Sequence, residues 1–364
     1  MKTKTEKIME RRNTRKVKVG SLYIGGDADV TVQSMTNVPA SDFEGTLAQL
    51  KRLEKVGCDI ARIAVPEESV AEVFTYAKTN GIHMPLVADI HFDYKIALAA
   101  LRAGADKIRI NPGNIGEAWK VKEVADACRV AGVPIRIGVN GGSLEKSLLE
   151  KYGSPTAEAI AESAMTQADA LEKHGFSDIV ISIKSSDVCK MVKASELVAA
   201  TSDYPIHLGV TEAGDAFSGL VKNAAGIGSL LTHGIGDTIR VSLTADPVEE
   251  IKAGREILRA VGRWNRGGVN IISCPTCGRT KVDLIGLAGK LRDAVQDIDT
   301  KGKTVNVAVM GCVVNGPGEA READFGVAGG DGFGVFFRKG APEGRVEENE
   351  IVPTLVKSII EFIG

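Results

Sequence analysis

The stretch KIRINPGNIGEAWKVKEVADACRVAGVPIRIGVN, residues 107–140, holds one complete strand–helix–strand unit. Lys107–Asn111 and Ile135–Asn140 are short runs rich in isoleucine and valine, bounded by turn residues, and read as strands. Between them Val121–Ala131 has helical spacing and stops at Gly132, a glycine just past the last helical turn. The joins are too short for anything but a β/α repeat.

The same unit recurs in both directions. Further candidate strands are Val30–Met35, Ile60–Val65, Leu86–Ile90, Ile179–Lys184, Ile206–Glu212 and Thr238–Leu243, making eight in one unbroken run. Helical segments Thr46–Val56, Tyr94–Ala103 and Ala157–His174 end at Gly57, Gly104 and Gly175. Eight consecutive repeats favour a closed barrel over an open, doubly wound sheet. Past Trp264 the pattern changes. A strand at Val269–Ile272, a helix at Val282–Val295, a strand at Val305–Met310, a hairpin (Phe325–Ala328 with Phe333–Arg338) and a last helix at Val352–Ile363 suit a small α+β unit. The expected fold is α/β: a (β/α)8 TIM barrel over residues 1–265, then a small α+β domain over 266–364.

The chain has 364 residues and a formal net charge of −2, without the basic excess of a general nucleic-acid binder. No apolar run reaches the roughly 18 residues of a membrane span. The first residues lack the apolar core of a secretory signal. A cytoplasmic protein with neither nucleic-acid nor membrane partner is the expectation.

Interior barrel positions should be apolar, yet several strands carry cations: Arg62, Arg109, Arg136, Lys184 and Arg240. Alternation lets all five converge. Asn111, Asn140, Thr211 and Ser242 sit close by, and two acids, Asp89 and Glu212, reach strand ends. Internal salt bridging by those acids explains two of the cations and leaves a surplus. An anion with more than one phosphate group fits that surplus, since arginine suits bidentate phosphate contact. His91 and His207 also lie near strand ends.

Of six cysteines, Cys58, Cys128 and Cys189 are scattered, whereas Cys274, Cys277 and Cys312 lie in glycine- and proline-rich segments of the final quarter. A [4Fe–4S] cluster, a structural zinc site and a redox dithiol all remain open. The cluster accommodates three thiolates with one position left over, for which Glu319 is the nearest acid.

Six motifs resemble the 4-hydroxy-3-methylbut-2-enyl diphosphate synthase family across nearly the whole chain. They are Gln33-Ser-Met-Thr-Asn37, Ala88-Asp-Ile-His-Phe92, Arg109-Ile-Asn-Pro-Gly-Asn114, Gly209-Val-Thr-Glu-Ala-Gly214, Ser273-Cys-Pro-Thr-Cys-Gly-Arg-Thr280 and Met310-Gly-Cys-Val-Val-Asn-Gly-Pro-Gly-Glu319. The last two are specific; the barrel motifs alone are weak. The resemblance implies an iron–sulfur oxidoreductase that reductively opens 2-C-methyl-D-erythritol 2,4-cyclodiphosphate, with loss of water, in the non-mevalonate isoprenoid pathway. It implies a [4Fe–4S] cluster on Cys274, Cys277, Cys312 and Glu319, fed by flavodoxin or ferredoxin. Arg62, Arg109, Asn111, Arg136, Asn140, Lys184, Arg240 and Ser242 would hold the diphosphate, with Asp89 and His91 beside them. Thr211 and Glu212 would face the carbon skeleton, Glu212 as proton donor. The run from Leu243 to Trp264 leaves no room for the extra domain of plant-type members. The shorter bacterial type implies a head-to-tail homodimer.

Overall fold

Two strands not anticipated from the sequence come first: β1 (Val17–Val19) and β2 (Leu22–Ile24), an antiparallel hairpin. In the computed structural model, which describes residues 9–314, 318 and 320–364, eight parallel strands follow. They are β3 (Thr31–Met35), β4 (Ile60–Ala64), β5 (Leu86–Asp89), β6 (Lys107–Ile110), β7 (Ile135–Asn140), β8 (Ile179–Lys184), β9 (Ile206–Leu208) and β10 (Thr238–Ile239). Each pairs with the next, and β10 returns to β3 with Thr238 opposite Thr31, so the sheet closes as a barrel. The hairpin stoppers its lower end: Val17, Val19 and Ile24 pack on Ile60, Val87 and Val180 near the N-terminal ends of β4, β5 and β8.

The outer helices form where the periodicity places them, and their starts are capped by side chains. Asp42, Asp93, Thr156, Asp187, Asp215 and Asp246 each accept a backbone N–H of the following first turn. In helix Phe43–Lys55, Leu50 and Leu53 are wholly buried against the barrel. Each such leucine contributes about 1.5–3 kcal/mol. No described helix is long and apolar enough to cross a membrane.

Two strands are shorter than the sequence suggests. The ladder stops at Leu208 and Ile239, because helix side chains take over its hydrogen bonds. The N–H of Val210 donates to Asn223 Oδ1 (3.2 Å) and that of Leu243 to Glu250 Oε1 (3.2 Å). Asn223 Nδ2 also donates to the Ser242 carbonyl at 3.2 Å. Gly209 completes the change, since a Cβ there would lie 2.6 Å from the Arg240 carbonyl oxygen.

The chain divides into two compact units at Trp264/Asn265. The second has a five-stranded sheet: β11 (Gly268–Ser273), β12 (Thr304–Met310) and β13 (Phe325–Gly329) are parallel, and β14 (Phe333–Arg338) and β15 (Ala341–Glu347) antiparallel. Helices Leu284–Val295 and Ile351–Ile363 bury Leu291, Leu355 and Ile359 with Val305, Val307 and Phe325. β15 escaped the sequence reading because its proline, glycine and charges suit only an exposed edge strand.

Candidate active site

Paired residues on neighbouring strands share a face, so register identifies the barrel's inner wall. Met35 lies opposite Arg62, Asp89 opposite Arg109, Arg109 opposite Arg136, and Asn140 opposite Lys184. Ser182 lies opposite His207, which lies opposite Thr238. The wall thus carries cations and polar groups toward its C-terminal end, with Val87 and Val180 among them on the same face.

The balance of charge decides what such a wall can hold. Asp89 accepts from Arg109 (3.1 Å) and lies 3.7 Å from Arg62 Nε. Burial alone would raise its carboxyl, but Arg62 and Arg109, backed by Lys184 and Arg136, outweigh burial and hold it below the usual carboxylate range. Arg62 is pushed down to about 10, chiefly by burial. It also directs Nε and a terminal nitrogen at Met35 Sδ, 3.0 and 2.8 Å away. Arg109 folds across β7 toward the Gly138 carbonyl (3.3 Å), and only glycine permits this: a Cβ would sit 2.5 Å from its Nε.

The second internal acid is not the one expected from the sequence. Glu212 is exposed, and no ion pair to it is seen among the described residues. Glu250, from helix Pro247–Ala260 and 3% exposed, takes Arg240 through both carboxylate oxygens (3.3 and 3.1 Å). It also accepts from Ser34 Oγ at 2.7 Å. Breaking a buried pair leaves its partner charged and unsatisfied, so Glu250→Ala should cost about 3–5 kcal/mol in denaturant unfolding. A cost below about 1 kcal/mol would mean that Arg240 needs no internal partner.

Cations remain in excess. Arg136 is 0% exposed, and none of its three guanidinium nitrogens has a hydrogen-bond partner among the described residues. Half-buried Lys184 pairs with no carboxylate among the described residues; burial, then Arg62 and Arg109, push it well below the ordinary lysine range. Lys107, which sequence reading overlooked, is 0% exposed and has no hydrogen-bond partner among the described residues. Its signal was available, because it stands two residues before Arg109 and shares its face.

A narrow cavity opens at the C-terminal ends of the strands. Arg62, Lys184, Thr211, Arg240 and Ser242 line it, as the sequence suggested, with His207 and Ser182 added. Asp89 joins through its ion pairs to Arg62 and Arg109, and Arg136 stands beside Arg109 by register. Asn111 and Asn140 stand at the same rim, where their side-chain oxygens cap the following turns by accepting from Gly113 (3.1 Å) and Gly142 (3.2 Å). His91 is exposed, its ring 6.0 Å from that of Phe92, outside the cation cluster. Glu212 has φ of 52°, in the left-handed region that side-chain-bearing residues avoid.

In the second unit, Ser273 at the end of β11 lies opposite Val309 on β12, so Cys274 and Cys312 leave the same end of the sheet. The Gly311 N–H donates to Cys274 Sγ at 3.3 Å. The Arg279 backbone N–H, then its guanidinium and the Thr280 hydroxyl, hold the Cys277 thiol below its ordinary value. A thiol held below its ordinary value and N–H groups aimed at sulfur fit iron–sulfur ligation. All six cysteines are free. Among the described residues no three metal-binding side chains draw together as they stand, and Glu319 lies outside those residues.

Two family models match the chain: the GcpE TIM-barrel domain over residues 14–255 and the GcpE protein C-terminal domain over 270–361. A relative in Caldanaerobacter subterraneus, 4-hydroxy-3-methylbut-2-en-1-yl diphosphate synthase (flavodoxin), is 54% identical, covering 98% of this chain and 99% of its own. Its namesake in Clostridium perfringens is also 54% identical, covering 98% and 100%. Among solved structures, type I 3-dehydroquinate dehydratase from Clostridium difficile matches 68% of this chain and 98% of its own, with TM-score 0.50 and 14% identity. That likeness concerns the barrel fold alone.

Proposed function

This chain belongs to the GcpE family of 4-hydroxy-3-methylbut-2-en-1-yl diphosphate synthases, and from that membership we propose its reaction and the residues that perform it. The substrate is 2-C-methyl-D-erythritol 2,4-cyclodiphosphate. It is reductively opened and dehydrated to (E)-4-hydroxy-3-methylbut-2-enyl diphosphate, a step of the non-mevalonate route to isoprenoids. The observation that carries the reading is the surplus of buried, unpartnered cations on the inner wall, with Arg136 foremost.

Arg62, Arg109, Arg136, Lys184 and Arg240 bind the two phosphate groups, and Ser242 donates a hydrogen bond beside them. Asn111 and Asn140 shape the rim on the same side. Asp89 orients Arg62 and Arg109, and His91 lies on the approach. Phosphate binding is remote from the bond that breaks, so its energy holds the carbon skeleton in place for reaction. Thr211 and Glu212 face that skeleton, and Glu212 gives the proton that lets hydroxyl leave as water. Cys274, Cys277 and Cys312, with Glu319, hold a [4Fe–4S] cluster, whose chemistry when bound is delivery of the two electrons one at a time. Flavodoxin stands in the relatives' names and is the proposed donor, with ferredoxin as its chemical equivalent.

The test is anaerobic turnover of the iron- and sulfide-reconstituted protein with the cyclic diphosphate and a one-electron reductant, followed by phosphorus NMR. The cyclic signals should give way to those of a linear diphosphate, and Cys312→Ser should abolish the change. A loaded, reducible protein that leaves the substrate untouched refutes the assignment. Sedimentation of the same mixture checks the proposed head-to-tail homodimer; an active single-chain species would overturn it.

A further inference from the structure

One fully buried amine has no part in that scheme. Lys107 lies on β6 two residues before Arg109, on the same inner face and about 6–7 Å nearer the barrel floor. It is 0% exposed and its Nζ has no hydrogen-bond partner among the described residues. The charged and titratable groups around it belong to the barrel wall. Arg62 on β4, Arg136 on β7 and His207 on β9 act on it or feel its charge. Arg109 stands beside it on β6. Asp89 on β5 is committed to Arg62 and Arg109, and Glu250 to Arg240. Gln33 on β3 is buried and uncharged, and the layer beneath is the apolar stopper.

Neighbouring cations without counter-charges are costly in such a place. Arginine does not give up its proton in proteins, whereas a buried lysine does so readily. In the empty barrel Lys107 is therefore the group that yields. Burial first, then Arg136 and Arg62, push its amine well below the ordinary lysine range. A bound polyanion reverses the sign of the field, because phosphate oxygens paired with Arg62 and Arg136 cancel the potential that keeps the amine neutral.

We propose that Lys107 is a proton-linked positioning residue: neutral in the empty barrel, it takes up a proton from solvent when the cyclic diphosphate binds above it. The floor of the site is then cationic only beneath its ligand. This inference rests on the substrate reading of the barrel mouth.

The sign of the pH dependence follows. The complex holds the proton more tightly than the free protein. Affinity is therefore greatest below the free amine's pKa, falls by up to about tenfold per pH unit through the window up to its higher value in the complex, then levels off. The ligand is no rival acceptor: each phosphate of a cyclic diphosphate has a single acidic proton, already lost near neutral pH. His207 is a rival. It is buried, and burial, then Arg136, push its imidazole well below the ordinary range.

The experiment is titration calorimetry of the full-length, cluster-loaded protein with the cyclic diphosphate, without reductant, in buffers of different ionisation enthalpy. The slope of observed heat against buffer enthalpy counts protons. About one should be taken up per chain, none in Lys107→Met, and an unchanged number in His207→Asn. Tight binding with zero slope overturns the inference and leaves the substrate reading standing. A slope that survives Lys107→Met, or vanishes in His207→Asn, also overturns it. Failure of the ligand to bind at all refutes the substrate reading and the inference together. Should Lys107→Met not fold, carbon-13 NMR of the lysine Cε groups in the unaltered protein reads the same event. A Lys107 signal that is neutral when free and charged when bound supports the proposal; one charged in both states overturns it.

Discussion

Replacing Glu212 with glutamine is expected to cut turnover by about 10²–10⁴-fold, the usual range for loss of a positioned general acid. Substrate affinity and iron content should stay as they were. Glutamine keeps the shape and the hydrogen-bonding reach of glutamate but has no proton to give. The backbone adds to the case. Glu212 stands just past the shortened β9 with φ of 52°, a conformation costing about 1–2 kcal/mol for a residue with a Cβ. Gly214, two residues on, is the type that adopts such angles freely. A side chain held in strain where glycine would serve better points to a role beyond the fold. Anaerobic kinetics and calorimetry on one preparation separate the outcomes. If Glu212→Gln binds substrate as weakly as Arg109→Ala, Glu212 is a structural residue and the proton comes from elsewhere.

Arg136→Met should act in opposite directions on stability and binding. This guanidinium is wholly buried with no hydrogen-bond partner among the described residues. Burial, with Arg62 and Arg109 alongside, works against its charge. Methionine fills a similar volume without one. Relief of that repulsion and desolvation should stabilise the free protein by about 1–4 kcal/mol, seen as a higher unfolding midpoint. Substrate binding should fall by about 2–5 kcal/mol, or roughly 30- to 5,000-fold, because a buried charge pair is lost from the complex. A variant less stable than its parent that binds normally would make Arg136 part of the scaffold.

The barrel was legible because short runs rich in isoleucine and valine and helices ending at glycine repeat along the chain with little interruption. Arg62, Lys184 and Arg240 stood out as cations in apolar runs, and all three line the cavity. Glu250 and Asn223 did not, for a physical reason. They sit inside helical segments, where a polar residue ordinarily faces water, and only the tertiary fold turns them inward to end the β9 and β10 ladders. Lys107 was missed differently: it looked like the first residue of a strand, although alternation from Arg109 places it inside. The hairpin β1–β2 is too short to announce itself. For the cysteines, strand order shows why distant positions leave one end of a sheet.

That hairpin gives the barrel a further property. With Val17, Val19 and Ile24 seated on Ile60, Val87 and Val180, the interior is a vessel with one opening. Whatever reaches Gln33, Arg136 or Lys107 enters past the mouth and leaves the same way. A ligand lodged in the mouth therefore stands on the path by which anything beneath it arrived, and the proton that reaches Lys107 has to pass the same way.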